Sequence, residues 1–418
     1  MNMPAKCLKC LSFILLLITL FGATAARAAN HPAASCSQSA VQAAVSAASP
    51  GDTVTVPAGT CSWSSPMAVN GITLQGAGKS TAGTVITSDN AFAITKHATQ
   101  VSRVSGFRFT SGGQHGSVSG AASARAFVID NCYFFSSGGG DVPFVRLSVN
   151  GGLLHHNDFF MNPSTAGGPD TFPIHAGETW SQATTMGTAD TQGPSGGERN
   201  LYFEDNTFSN ILETAPDGDV GVRLVLRHNH YIDSSIVFHS GGNGVVNDTS
   251  LDGTRQFEIY NNTFSRVNAT GDNVNKWVWV RGGSGVIANN VMDIVETPEW
   301  SNKMQILLSI GTCPSYPVKY QIGQTNVPAQ SPPPQPLLIF GNTGAGATHD
   351  DFIRISGENG GGMTCGNPNS FIQAGRDYMT SNTWGWAPFK YPHPLSDSTG
   401  GGTGTGPAPP TAVQAVAR

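Results

Sequence analysis

The chain has 418 residues, of which only 12% are charged and 51 are glycine, and its formal net charge is −5. A mildly acidic chain without a basic run argues against nucleic acid as the main partner. After residue 50 no stretch shows the 3.6-residue apolar period of a long helix; short β-branched and aromatic runs separated by Gly, Asn and Asp predict an all-β protein.

Residues 1–29 have the pattern of a secretory signal peptide. Lys6 and Lys9 precede an apolar run from Leu11 to Phe21, and "ATAARAA" then supplies small residues for cleavage. The run is too short to cross a bilayer, and no later stretch approaches twenty apolar residues, so no membrane span is predicted. We therefore expect a protein that is secreted or held at the cell surface.

Five of the seven cysteines lie after this segment. Cys36 and Cys61 flank the first helix–strand unit, while Cys313 and Cys365 both fall in predicted loops. In an exported protein these two pairings are plausible disulfides, although sequence alone does not fix the connectivity. Cys132 is then left over, and we expect it to be a buried thiol.

An irregular repeat runs through the middle of the chain, in segments such as "FVIDNCYFF", "LYFEDNTFSN" and "FEIYNNTFS". The shortest spacings give one unit of roughly 22–28 residues, which is typical of a solenoid. Each unit has a strand, an asparagine that tolerates the left-handed conformation, and another strand, with a further strand upstream. The aligned asparagines are Asn131, Asn157, Asn206, Asn229, Asn262, Asn290 and Asn342.

The opening "SAVQAAVSAASPGDTVTVPAGTCSW…ITLQGAGKSTAGTVI" resembles the N-terminal cap of secreted right-handed parallel β-helix proteins of the pectate-lyase-like superfamily. The asparagine-turn coils continue this resemblance, and "RDYMTSNTWGWAPFKYPHPL" resembles the closing segment of these proteins. The resemblance implies an all-β, right-handed parallel β-helix with a short N-terminal capping helix over residues 30–395. Residues 396–418 are Gly/Thr/Pro-rich and predict a flexible tail.

The first strand of each coil carries the candidate functional residues, because alternate residues of a strand face opposite sides. With residues such as Val145, Val278 and Val280 placed inward, basic and aromatic side chains face outward. We predict one outward column of Arg146, His175, His239 and Arg281, flanked by Phe144, Trp277 and Trp279, with a short strand around Asp219–Val222 between the two histidines.

A cationic column beside exposed aromatic rings fits an acidic polysaccharide, since arginine pairs with carboxylates and ring faces pack on sugars. Enzymes that cleave uronate chains by β-elimination need a group that neutralises the carboxylate and a base for the adjacent proton. Arg281 and Arg146 suit the first role, and His239 or His175 the second. Trp279, Trp277 and Phe144 are the predicted sugar-binding residues.

The resemblance also implies a bound calcium ion as another way to neutralise the uronate carboxylate. The loop "ETAPDGD" offers Glu213, Asp217 and Asp219 as oxygen ligands. However, the pectate-lyase runs WIDH and RxPxxR are missing from this sequence, so that mechanism does not transfer residue by residue. Two hypotheses follow. One is a secreted, monomeric lyase acting on pectin-like or alginate-like glycans. The other is a non-catalytic β-helix that binds glycan or serves as an adhesin-like surface protein.

Overall fold

A computed structural model describes residues 28–121, 123–137, 143–149, 151–162, 174–176, 200–211, 215–218, 222–238, 256–267, 276–292, 305–310, 322–324, 336–344, 353–357, 367–370 and 372–396. The described part holds one α-helix, α1 (Gln38–Ala47), short 3-10 turns at Ile322–Gln324 and Pro368–Ser370, and strands in three sheets. None of its helices is long and apolar enough to cross a membrane.

The chain passes through the three sheets in a repeating order. The twelve-stranded sheet contains β1 (Asn30–Pro32), β2 (Thr53–Thr55), β5 (Thr73–Gln75), β8 (Ser102–Ser105), β11 (Phe127–Asp130), β14 (Gly152–His155), β17 (Leu201–Glu204), β20 (Arg223–Arg227), β23 (Gln256–Tyr260), β26 (Ser284–Ala288), β29 (Leu337–Phe340) and β31 (Tyr378–Met379). The nine-stranded sheet contains β3 (Gly59–Cys61), β6 (Thr84–Ile86), β9 (Phe107–Phe109), β12 (Tyr133–Ser136), β15 (Asp158–Met161), β18 (Thr207–Ser209), β21 (His230–Ile232), β24 (Thr263–Ser265) and β27 (Val291–Met292).

The ten-stranded sheet contains β4 (Met67–Asn70), β7 (Phe92–Thr95), β10 (Gly116–Ser119), β13 (Val145–Leu147), β16 (Ile174–Ala176), β19 (Asp217–Gly218), β22 (Ile236–Phe238), β25 (Lys276–Val280), β28 (Gln305–Ile310) and β30 (Ile353–Gly357). Each coil runs from this sheet to the twelve-stranded sheet and then to the nine-stranded one, and neighbouring coils pair in parallel, as β10 pairs with β13 and β11 with β14. The predicted right-handed parallel β-helix is therefore confirmed.

Aromatic rings of successive coils stack inside the helix because aligned residues repeat at the strand spacing of about 4.8 Å. Consecutive ring centroids of the inner face of the nine-stranded sheet lie 4.6 to 5.1 Å apart. This column consists of Phe109, Phe134, Phe159, Phe208, Tyr231 and Phe264. It forms one continuous core with the buried valines and leucines of the other two sheets.

A ladder of asparagine side chains marks the turn between the twelve-stranded and nine-stranded sheets. The Nδ2 group of each asparagine donates to the Oδ1 atom of the next, at 2.8 to 3.1 Å, and also to a backbone carbonyl of a neighbouring coil. The ladder comprises Asn157, Asn206, Asn229, Asn262, Asn290 and Asn342.

The structure corrects the predicted alignment of Asn131. The ladder position of that coil is Cys132, whose backbone N–H donates to Asn157 Oδ1 at 3.0 Å. Asn131 instead has φ of 51° and occupies the left-handed position, like His156 and Asp205 in the next two coils. The left-handed residue is thus the one before the ladder asparagine, and the ladder residue itself supplies the hydrogen bonds.

A disulfide fastens the N-terminal end of the β-helix. The predicted Cys36–Cys61 disulfide is confirmed, with Cα atoms 5.9 Å apart, and it fastens the segment before α1 to β3. Cys132 is a free, buried thiol, as expected. Cys313 and Cys365 lie outside the described residues, as do the signal peptide up to residue 27 and the tail from residue 397.

Candidate functional site

Successive strands of the ten-stranded sheet carry an aligned column of residue positions. In β13, Val145 and Leu147 are buried and Arg146 between them is exposed, as alternation predicts. Parallel pairing carries this outward position from coil to coil at about 4.8 Å per step. We call the aligned set the outer column: Ser117, Arg146, His175, Asp217, Val237 and Trp279.

Arg146 and His175 occupy neighbouring positions in the outer column, as the sequence predicts. Arg146 Nε donates to Gln114 Oε1 at 3.3 Å, which orients the exposed guanidinium along the sheet. The next position is Asp217, in the short strand β19. The strand expected around Asp219–Val222 is therefore Asp217–Gly218, and it places a carboxylate residue directly beside the histidine position.

Arg281 does not lie in the outer column, which corrects the expectation of a single line of cations. The partner of Val237 in the next coil is Trp279, so Arg281 sits two residues further along its strand direction. Its backbone N–H donates to Phe238 O at 3.0 Å. Residues two apart on a strand share a face, so Arg281 is on the outer face but is displaced from Arg146 and His175. His239 lies outside the described residues.

Two of the three predicted sugar-binding aromatics are core residues. Phe144 is fully buried against His115 and Phe159, because it precedes β13 and the alternation of that strand does not extend to it. Trp277 is also fully buried and contacts Phe264, with ring centroids 5.5 Å apart. The register shift between Lys276 and Val278 marks a β-bulge, which turns Trp277 inward beside Val278.

Trp279 faces outward but is covered. Its residue exposure is 8%, because Arg281 Cζ lies 3.6 Å from its ring centroid and Lys276 Nζ lies 4.0 Å from it. The indole thus contacts two cations where the sequence predicted an open surface for a sugar ring. Val237, the preceding residue of the outer column, is also buried.

Of the three predicted calcium ligands, only Asp217 lies in the described part of the chain, through its backbone in β19. Glu213 and Asp219 lie outside the described residues. Among the residues that the structure describes, no group of three or more His, Cys, Asp or Glu side chains has the arrangement of a metal site.

A second set of polar residues, which sequence reasoning missed, lies on the outer side of the twelve-stranded sheet. Arg103 binds Asp130 through Nε and Nη2, at 2.7 and 2.8 Å. Arg227 binds Glu204 Oε2 in the same way, at 2.9 and 2.6 Å. Both pairs are buried, and the signal in the sequence was a charged residue at the start or end of several second strands.

Burial and ion pairing shift the pKa values of these groups. Burial works against the charged form of Asp130, but the hydrogen-bonded Arg103 guanidinium holds the pKa of that carboxyl below its ordinary value. Burial raises the pKa of Glu204, opposed by Arg227. His155 aligns between Asp130 and Glu204, and burial lowers its pKa to about 4.

The C-terminal segment, residues 382–396, covers the Arg227–Glu204 pair of this second set. Arg227 donates to the carbonyl oxygens of Phe389 and Lys390 at 2.8 and 2.9 Å, and the His393 N–H donates to Glu204 Oε1 at 3.0 Å. Trp386 and Leu395 join an apolar cluster on the same side of the sheet. These charges therefore fasten a closing segment, and the outer column remains the better candidate for a functional site.

No protein family matches the sequence, and no curated protein matches it. Among solved structures, the chain is similar to the catalytic unit of the thermostable GH87 alpha-1,3-glucanase from Streptomyces thermodiastaticus strain HF3-3. That likeness has 14% sequence identity and a TM-score of 0.37, over 80% of this chain and 70% of the other. A likeness at this level says nothing about the activity of the present chain.

Proposed function

We propose that this protein is an exported enzyme that acts on an acidic polysaccharide, cleaving uronate-containing chains by β-elimination. The proposal rests on the cross-strand alignment of Arg146, His175 and Asp217, which occupy matching positions on three neighbouring strands of the ten-stranded sheet. They bring a permanent cation, a group that is neutral near pH 7 and a carboxylate residue within about two strand spacings of each other.

The chemistry assigns a role to each position. The Arg146 guanidinium binds the uronate carboxylate and stabilises the negative charge that develops on it as the adjacent proton leaves. Neutral His175 accepts that proton. The electrons of the broken C–H bond form the new carbon–carbon double bond, and the glycosidic C–O bond on the far side breaks. The leaving oxygen takes a proton from solvent water, for which the Asp217 carboxylate is the candidate hydrogen-bond acceptor; the proton held by His175 then neutralises the hydroxide.

Two further parts of the proposal come from the sequence. The pattern of residues 1–29 supports export, and the described core and disulfide suit a protein that works outside the cell. Calcium ligation by Asp217 together with Glu213 and Asp219 stays a prediction, and the mechanism above uses no step through a metal ion.

The test is a substrate screen with pectate, alginate and glycosaminoglycans, each with and without EDTA, followed by the ultraviolet absorbance of the unsaturated uronate product. We expect absorbance to rise with at least one acidic polymer. His175→Gln and Arg146→Ala should each lower the rate by about 100-fold or more, as expected for a base and a charge-stabilising group.

His230→Ala is the matched control, because His230 is an exposed histidine on the nine-stranded sheet and should leave the rate unchanged. A loss of activity with EDTA would add calcium to the mechanism. No ultraviolet signal with any acidic polymer would remove the lyase proposal, and an unchanged rate in both His175→Gln and Arg146→Ala would remove the site.

A further inference from the structure

Two turns that lead into the ten-stranded sheet hold a row of polar side chains. Asn90 lies two residues before β7 and Gln114 two residues before β10, and the Asn90 N–H donates to Gln114 O at 2.6 Å. Arg146, on β13, pairs with Ser117, so its long side chain reaches back past the start of β10 to Gln114. Asn90 and Arg146 are exposed and Gln114 is half-buried, so the row is open to solvent.

The hydrogen bonds of this row can run in one direction only. A guanidinium donates and never accepts, so Gln114 presents Oε1 to Arg146 Nε, at 3.3 Å. The amide nitrogen of Gln114 therefore faces the other way and donates to Asn90 Oδ1 at 3.2 Å. Arg146 thus fixes the orientation of both amides. We call these three side chains the donor row: Asn90, Gln114 and Arg146.

This direction decides which atoms remain for a ligand. Each of the two amide oxygens already accepts a hydrogen bond within the donor row. Within the part of the chain that the structure describes, Asn90 Nδ2 and the two Nη groups of Arg146 make no hydrogen bond, and all of these groups are N–H donors. The neighbouring carboxylate, Asp89, accepts from the Gly113 N–H at 3.0 Å and holds the turn that carries Gln114.

We propose that the donor row is a subsite for the carboxylate-bearing sugar of an acidic glycan, in which Gln114 is a positioning residue. Because Arg146 Nε is bound to Gln114, the carboxylate meets the Nη1–Nη2 edge of the guanidinium and accepts two hydrogen bonds from it. Asn90 Nδ2 donates to a second oxygen of the sugar. The subsite rests on the proposed function for its part in cleavage; binding of an acidic glycan by the donor row does not.

Equilibrium binding of the full-length protein to polygalacturonate and to its fully methyl-esterified form tests the subsite. We expect wild-type protein to prefer the charged polymer, with an affinity that falls as salt is added. Gln114→Glu places a carboxylate against Arg146, so it should weaken binding of polygalacturonate by about tenfold or more and leave binding of the esterified polymer unchanged. Gln42→Glu adds the same charge at an exposed position of α1 and should change neither, which controls for net charge.

The positioning role has its own readout. Gln114→Met removes the acceptor for Arg146 Nε without adding a charge. It should weaken binding of polygalacturonate by about fivefold but keep the salt dependence, because Arg146 keeps its charge. Arg146→Met should instead remove the preference for the charged polymer.

Asn90→Gly tests the second donor, since Asn90 has φ of 50°, which glycine adopts freely. It should weaken binding of polygalacturonate by about threefold or more, as expected for the loss of a hydrogen bond. Asn131→Gly is the matched control, because Asn131 has φ of 51° and lies outside the donor row, and it should bind like wild type.

The outcomes separate the subsite from the proposed function. Weaker binding of polygalacturonate by Gln114→Glu and Asn90→Gly supports the subsite even where no polymer is cleaved. If the protein cleaves uronate chains while these two variants bind them like wild type, the subsite is wrong and the proposed function stands. Wild-type protein that binds the two polymers equally, or binds neither, would also overturn the subsite. If Gln114→Met binds polygalacturonate like wild type, the positioning role is wrong.

Discussion

At the scale of single residues, each asparagine of the ladder forms hydrogen bonds with the coils on both sides of it. Asn229 is fully buried; its Oδ1 accepts from the backbone and side chain of Asn206, and its Nδ2 donates to Phe203 O and Asn262 Oδ1. Every polar atom of the amide is therefore used, which is the condition for burying it without a large penalty.

We predict that Asn229→Ala lowers the free energy of unfolding by at least about 2 kcal/mol, because several buried donors and acceptors lose their partner together. Asn131→Gly is the matched control: Asn131 lies outside the ladder and has φ of 51°, which glycine adopts freely. Its cost should stay below about 1 kcal/mol. Chemical denaturation measures both, and equal losses would contradict the ladder position assigned to Cys132.

Two buried histidines make stability depend on pH. Burial lowers the pKa of His115 and of His155 to about 4, from an ordinary value of 6.5. The unfolded chain therefore takes up protons between pH 6.5 and 4 that the folded protein does not accept. The stabilisation is complete above pH 6.5 and is lost as the pH falls toward 4.

The expected loss is roughly 2 to 3 kcal/mol for each of these histidines between about pH 7 and 4.5. Guanidinium unfolding at both pH values measures it. His155→Gln, which does not titrate, should show a smaller loss than wild type by about that amount, and His230→Ala, at an exposed site, should lose as much as wild type. An identical pH dependence in wild type and His155→Gln would show that His155 is not held neutral.

At the scale of the element, the C-terminal segment 382–396 is fastened by buried charges as well as by apolar contacts. Arg227 joins Glu204, the Tyr260 hydroxyl and two carbonyl oxygens of the segment. Tyr391 adds a ring stacked on His228, with centroids 3.7 Å apart, and its hydroxyl donates to Asp205 at 2.9 Å.

Removing one partner of such a pair leaves a buried charge without compensation. Arg227→Met should therefore cost about 3 to 5 kcal/mol and make the C-terminal segment sensitive to protease. The double variant Glu204→Gln/Arg227→Met should recover most of that loss, since the neutral amide that replaces the carboxylate still accepts from the His393 N–H. Unfolding and limited proteolysis measure both effects. A double variant as unstable as the single one would show that the ion pair itself holds the segment.

Strand alternation predicted the inward residues of the first strands correctly: Val145, Leu147, Ile236, Phe238, Val278 and Val280 are all buried. It failed where the backbone departs from a regular strand. Phe144 lies before its strand begins, and the β-bulge after Lys276 turns Trp277 into the core. Neither event has a signal in the local pattern of apolar residues, because both depend on how the neighbouring coil pairs.

The repeat was equally informative and equally limited. It indicated the solenoid and all six ladder asparagines in the correct order, but the Asp-Asn pair of "FVIDNCYFF" was aligned with that of "LYFEDNTFSN". The register shows Asp130 opposite His155, which is opposite Glu204, so Asn131 matches Asp205 and Cys132 matches Asn206. A local pattern does not distinguish two adjacent positions that both accept asparagine.

At the scale of the whole molecule, each coil of the β-helix contacts mainly its neighbours, so its outer faces are long and their residues repeat at fixed spacing. Such a surface suits a linear polymer with repeated groups. The outer face of the twelve-stranded sheet is covered between Tyr202 and Phe340 by apolar residues of the C-terminal segment. The ten-stranded sheet aligns Arg146 with the His175 and Asp217 positions along one line.

The most direct test of this account is a crystal structure of the His175→Gln variant with a bound uronate oligosaccharide. We expect the sugar chain to lie along the outer face of the ten-stranded sheet, with one carboxylate bound by Arg146. An oligosaccharide bound on the nine-stranded sheet, or at the ridge of Asp205, His228 and Tyr391, would contradict the account.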